Sequence, residues 1–205
     1  ALQAGLGFIG RSANLIVPGV GPNVVLGFIL TDAPLPLSMP LDHDGCGECR
    51  ACIDACPGGA LHGDGTMDVR RCLSYYTTEA RELPPDDLAL RYGGRLFGCE
   101  ACVAACPHTV ARPPQGEDPL PPALLPRLAD VAFGRTFKGT ALGHLSRTKL
   151  LISFAYTLLT AEPSFAMAML ERLSHESHPL MQEALQKIRT LHRIHKDAKE
   201  KRTTT

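Results

Sequence analysis

Apolar and polar positions alternate differently in three stretches of this chain. Towards the C-terminus, apolar residues recur every three or four positions over 150–159, 163–173 and 179–194, and each run predicts a helix. Pro163 and Pro179 suit a first helical turn, where the missing N–H has no intrahelical partner anyway. Short helices with brief connections follow the layout of HEAT-like repeats, and residues 177–185 fit the second half of such a unit. Residues 150–160 are largely apolar but far short of the ~18 residues a membrane span needs, so a buried helix is predicted. Near the N-terminus the pattern favours strands over 14–17 and 24–31, parted by the turn Pro18-Gly19-Val20-Gly21-Pro22. Between these ends neither period holds. Residues 68–81 alone predict a helix there, with Asp68 near its start and Cys72 in its first turns. The expected fold class is α+β: residues 1–41 strand-like, 42–112 irregular and cysteine-rich, 113–122 a Pro-rich linker, and 123–205 helical.

Composition changes this picture little. The 205 residues suffice for one or two domains with a core of their own. Basic and acidic residues both number 21, so no global field draws the chain to nucleic acid or to a membrane. Charge is local instead. Lys187, Arg189, Arg193, Lys196, Lys199, Lys201 and Arg202 make the last helix basic, which suits phosphate contact or simply the negative end of a helix dipole. The histidines form no compact ligand set, and no Ser/His/Asp arrangement stands out. Gly5, Gly7 and Gly10 spell G-x-G-x-x-G, but no strand precedes them, so tight turns near some other ligand fit better than a nucleotide.

The chemistry lies in the eight cysteines. The first run is Cys46-x2-Cys49-x2-Cys52-x3-Cys56-Pro57 and the second Cys99-x2-Cys102-x3-Cys106-Pro107, with Cys72 between them. The first spacing is that of bacterial ferredoxins with two [4Fe–4S] cubanes, in which the fourth Cys reaches the other cluster. Cluster A then takes Cys46, Cys49, Cys52 and Cys106. Cluster B takes Cys56, Cys99, Cys102 and, as the one thiol left, Cys72. Zinc sites prefer two-plus-two sets and fit a triple C-x2-C-x2-C poorly. A disulfide framework belongs to small secreted chains, whereas a pair of cubanes with open thiols points to the reducing cytosol. On this reading the chain does one-electron chemistry.

Several segments resemble the C-terminal two-thirds of the epoxyqueuosine reductase family. They are Ala4-Gly5-Leu6-Gly7-Phe8-Ile9-Gly10-Arg11, Leu26-Gly27-Phe28-Ile29-Leu30-Thr31-Asp32, the run from Cys46 to Pro57, Arg70-Arg71-Cys72-Leu73-Ser74-Tyr75-Tyr76, and Phe97-Gly98-Cys99 through Pro107. The resemblance implies a cobalamin-binding α/β domain, of which residues 1–41 are the end, a two-cubane ferredoxin-like domain over 42–112, and HEAT-like helices that help bind tRNA. It also implies a reaction: cobalamin, fed by two cubanes, removes the epoxide oxygen of epoxyqueuosine in tRNA to give queuosine. The electron donor would be a flavodoxin or ferredoxin.

By the same resemblance, all eight cysteines are cluster ligands. Arg11, Asn14, Ile16, Gly27, Ser74 and Thr77 face the cobalamin, and Arg70, Arg71, Arg147 and Lys149 face tRNA. The family's general acid is an Asp upstream of Ala4, so no catalytic residue is expected within this chain. Missing N-terminal sequence or a partner subunit would supply it. Two departures stand out. His108-Thr109 replace the family's Trp-Asn after Cys-Pro, and Gly143-His144 replace paired arginines, which removes phosphate contacts. The alternative is a stand-alone two-cluster electron-transfer protein that docks on a partner oxidoreductase. Reductive dehalogenases, which share the plan of cobalamin plus two cubanes, are a further option.

Overall fold

The computed structural model describes residues 1–41, 45–110, 135, 137–160 and 163–203. The expected linker over 113–122 lies outside the described residues, as do the side chains of Lys196, Lys199, Lys201 and Arg202. The architecture mixes helices with few strands, and the chain divides into two compact units. One holds Ala1–Cys72 and the segment from Glu100, and the other holds Leu73–Cys99 and the C-terminal helices. Residues 73–99, inside the segment expected over 42–112, thus group with the helices.

In the first unit, β1 (Phe8–Ile9) pairs antiparallel with β2 (Leu15–Ile16), with Phe8 opposite Ile16 and Ile9 opposite Leu15. The strand expected over 14–17 is thus present but short, and its partner is the glycine-rich segment. Residues 24–31 form no strand. No segment among the described residues pairs with them, and Val25, Phe28 and Leu30 are 99%, 89% and 100% exposed. Two one-turn helices, α1 (Ala51–Asp54) and α4 (Ala101–Ala104), pack against each other.

The helix expected over 68–81 is broken. Asp68 accepts a hydrogen bond from Arg70 N and caps a single 3₁₀ turn, Val69–Arg71. Cys72 then turns extended, at φ −84° and ψ 123°, with its N–H donating to Val69 O to close the turn.

The second unit begins with α2 (Leu73–Thr78), followed by α3 (Asp86–Ala89), which Pro85 precedes as in a first-turn start. Then come α5 (Arg147–Thr157), α6 (Pro163–Leu173) and α7 (Pro179–Thr203). Ser146 accepts from Lys149 N and starts α5 earlier than the apolar run suggests. Every residue from Leu150 to Tyr156 is buried, because α5 packs on both α7 and α2. Its all-round apolar character is that of a core helix. Pro163 and Pro179 each open their helix, as expected.

Candidate metal centre

The two cysteine runs fold alike because they repeat the same local hydrogen bonds. In the first, Asp54 N bonds Arg50 O, Cys56 N bonds Ile53 O and Gly59 N bonds Cys56 O. In the second, Ala104 N bonds Glu100 O, Cys106 N bonds Val103 O and Thr109 N bonds Cys106 O. Each single turn carries a middle cysteine, Cys52 or Cys102. Each ends before a Cys-Pro pair, where the proline disfavours helical geometry in the cysteine before it.

Cys46, Cys49, Cys52 and Cys106 line one cavity, together with Ser12, Ile16 and His108. Burial pushes the Cys52 thiol above its ordinary range, and the neighbouring Cys46 and Cys106 add to the rise. None of the eight cysteines is in a disulfide. Among the described residues no three His, Cys, Asp or Glu side chains converge closely enough to hold a single metal ion. Thiols ringed around a cavity suit a cube that takes one thiolate at each corner. A buried hydroxyl supports the same fit: Ser12 Oγ, in a residue only 4% exposed, has no hydrogen-bond partner among the described residues.

Close backbone approach shapes the cavity. A Cβ at Gly10 would collide with the Ile16 side chain and lie 3.3 Å from Cys46 Sγ, and one at Gly7 would strike the Ile16 carbonyl. The glycine pattern thus serves hairpin packing beside the thiols. His108 donates from Nε2 to Gly45 O at 2.9 Å and meets Phe8 edge-on, with ring centroids 5.8 Å apart. In the other expected ligand set, Ala60 N donates to Cys56 Sγ at 3.3 Å and Asn14 Nδ2 to Cys102 Sγ at 3.9 Å. Cys72 closes the first segment of one unit, and Cys99 closes the first segment of the other.

Most of the positions expected to face cobalamin bond to or pack against neighbouring residues. Arg11 donates to Cys49 O at 3.3 Å, Asn14 bonds Cys102, and Ile16 is buried in the hairpin. Gly27 has open space beside it. Thr77 is fully buried, and its hydroxyl donates to Ser74 O and accepts from Gly98 N at 2.9 Å.

Of the positions expected to meet tRNA, Arg70 is exposed, and Arg71 donates to Gly58 O at 2.9 Å. Arg147 makes a two-pronged ion pair with Glu176, at 2.8 and 2.5 Å. Lys149 donates to Ala80 O and lines an open cavity of about 340 Å³ with Arg81, His144 and His178. Ser12, His108, Arg81 and His178 are brought to these cavities without any periodic or spacing signal in the sequence.

Residues 45–109 match the family of 4Fe-4S double cluster binding domains. The chain is 33% identical over 193 residues to an epoxyqueuosine reductase of Shigella dysenteriae, covering 89% of this chain and 50% of that protein. It is 32% identical to the Escherichia coli epoxyqueuosine reductase with the same coverage. Among solved structures, the epoxyqueuosine reductase of Streptococcus thermophilus superimposes with a TM-score of 0.77 at 30% identity, over 90% of this chain and 51% of that one. An epoxyqueuosine reductase with an epoxyqueuosine-modified tRNA-Tyr stem loop matches with a TM-score of 0.69 at 28% identity, over 92% of this chain and 53% of that one. The chain spans about half the length of these relatives, a smaller share than the two-thirds expected from its segments. Over the part it spans, with its double-cluster segment and its matching fold, this chain belongs to the epoxyqueuosine reductase family.

Proposed function

We propose that this chain carries the electron-delivering part of an epoxyqueuosine reductase, which reduces the epoxide of epoxyqueuosine in tRNA to queuosine. The observation that carries this reading is the likeness, over 92% of the chain, to a reductase structure holding an epoxyqueuosine-modified tRNA stem loop. Cluster A would be held by Cys46, Cys49, Cys52 and Cys106, and cluster B by Cys56, Cys72, Cys99 and Cys102. Cubanes supply single electrons at low potential, and burial and hydrogen bonding set that potential. A flavodoxin or ferredoxin would feed them.

Cobalamin, where bound, would supply the strongly reducing centre that opens the epoxide. Completion of its pocket falls to further polypeptide, of the same chain or of a partner subunit, with residues 1–41 as the end of that domain. The apolar, strand-like segment 24–30 supports this: leaving each large side chain in water forgoes ~1.5–3 kcal/mol of burial. The helices from Arg147 onward would form the HEAT-like region, and the cations around Lys149 would meet tRNA phosphates. No helix among the described residues is long and apolar enough to cross a membrane.

Anaerobic reconstitution is the first test. Iron and sulfide content and the EPR of the reduced protein are expected to report two cubanes per chain. Supplying the full-length polypeptide, cobalamin and epoxyqueuosine-bearing tRNA is then expected to convert the nucleoside, read by mass spectrometry as the loss of one oxygen. Two cubanes without conversion would leave a two-cluster electron carrier and sink the reductase reading.

A further inference from the structure

The loop that joins β1 to β2 is held in a costly shape. Ala13, a residue with a side chain, sits at φ +61°, in the left-handed region that favours glycine. The turn is closed by Gly10 N to Asn14 O at 2.9 Å and by Ala13 N to Gly10 O at 3.0 Å. Arg11 anchors it to the first cysteine loop through Cys49 O. Strain that the surroundings enforce often marks a functional position, and here the flanking residues show what it achieves. On one side of Ala13, Ser12 is 4% exposed, lines the cavity of Cys46, Cys49, Cys52 and Cys106, and its hydroxyl has no hydrogen-bond partner among the described residues. On the other side, Asn14 donates through Nδ2 to Cys102 Sγ.

We propose that this hairpin tip sets the reduction potentials of both clusters, Ser12 acting on one and Asn14 on the other. The inference rests on the two-cluster reading and adds to it two positioning residues. A buried hydroxyl without a partner is expensive. The acceptors that a cube would bring into this cavity, thiolate and sulfide sulfurs, would satisfy it. A donor to a cluster sulfur stabilises the reduced state, which carries one more negative charge, and so raises the potential. The left-handed residue between them turns two nearby side chains toward different ligand sets. One short loop thereby reaches both centres.

The test is an EPR-monitored redox titration of the reconstituted full chain. Iron and sulfide counts on the unaltered protein come first: a shortfall from two cubanes would overturn the underlying reading before any variant is made. Given two cubanes, Ser12→Ala is expected to lower the midpoint of one cluster and Asn14→Leu that of the other, with the double variant lowering both. Asn14→Asp, which replaces the donor with a charge of similar size, is expected to lower the same midpoint as Asn14→Leu and by more. Ala13→Gly keeps both donors and is expected to leave both midpoints in place. Unmoved midpoints in Ser12→Ala and in both Asn14 variants would overturn the proposal. So would a joint shift of both clusters in each single variant, since that is the mark of a general loop disturbance.

Discussion

The two compact units hold themselves together by different means. The first buries a small apolar cluster, Phe8 and Ile16 with Cys106, against which Cys46 packs. Much of its chain is loop, and its apolar segment 24–30 lies in water. The second buries α5 almost completely, with Tyr92, Leu88, Ile188, Leu185 and Met181 among the side chains in one continuous core. A small unit with so little apolar burial depends on ligands for cohesion, as small metal-binding domains do. The helical unit depends on packing. The contrast leads to the expectation that one part of the chain is stabilised by iron binding and the other by packing alone.

Stripping the iron with a chelator is the strongest way to test that contrast. Hydrogen exchange is expected to show amides of residues 45–72 and 100–110 losing protection while those of α5 and α7 keep theirs. Loss across both units together would end the distinction. Next in size is Leu150→Ala, at a fully buried position. It is expected to cost about 2–5 kcal/mol in denaturant unfolding of the helical unit. The EPR signal of the cluster proposed at Cys46, Cys49, Cys52 and Cys106 is expected to survive.

Alkaline pH offers a smaller perturbation confined to the second core. Tyr92 and Tyr156 lie with ring centroids 5.0 Å apart, and burial raises both phenols above their ordinary value of 10.0. The folded state therefore favours the neutral rings. That contribution is complete below about pH 10 and is lost as pH rises through the elevated folded values. Near-UV circular dichroism in an alkaline titration is expected to change in wild type and less in Tyr92→Phe.

The smallest effect belongs to the Arg147–Glu176 pair. Arg147 holds the Glu176 carboxyl below its ordinary 4.5, mainly through their hydrogen bonds. The stability this adds is present above that value and is lost as pH falls through the depressed one. Glu176→Gln is expected to cost about 1 kcal/mol or less at neutral pH and nothing in acid. Thermal melts at both pH values measure this.

Legibility followed how local each determinant is. The helices opened by Pro163 and Pro179 were readable, because proline position and apolar spacing act within a few residues. So were the two cysteine runs, whose C-x2-C turns and Cys-Pro stops recur in the hydrogen bonding. The Ser146 cap was less legible: the apolar run suggests a start at 150, yet the serine hydroxyl bonds Lys149 N and starts α5 at Arg147. Residues 24–31 have strand-forming side chains but form no strand, since a strand needs a neighbour and propensity cannot supply one. The break at Cys72 was illegible for a related reason, because its extended backbone depends on the elements around it.

The iron–sulfur motif, the helical C-terminal region and the family resemblance were all legible along the chain, since each rests on residue types at short, fixed spacings. Only the tertiary structure decided that residues 73–99 join the helices. It alone showed that Gly7 and Gly10 serve the packing of a hairpin. It alone placed Ser12 in a cavity with four thiols far along the chain and Asn14 against Cys102. Those facts depend on which distant surfaces exclude water from one another, and no local pattern records them.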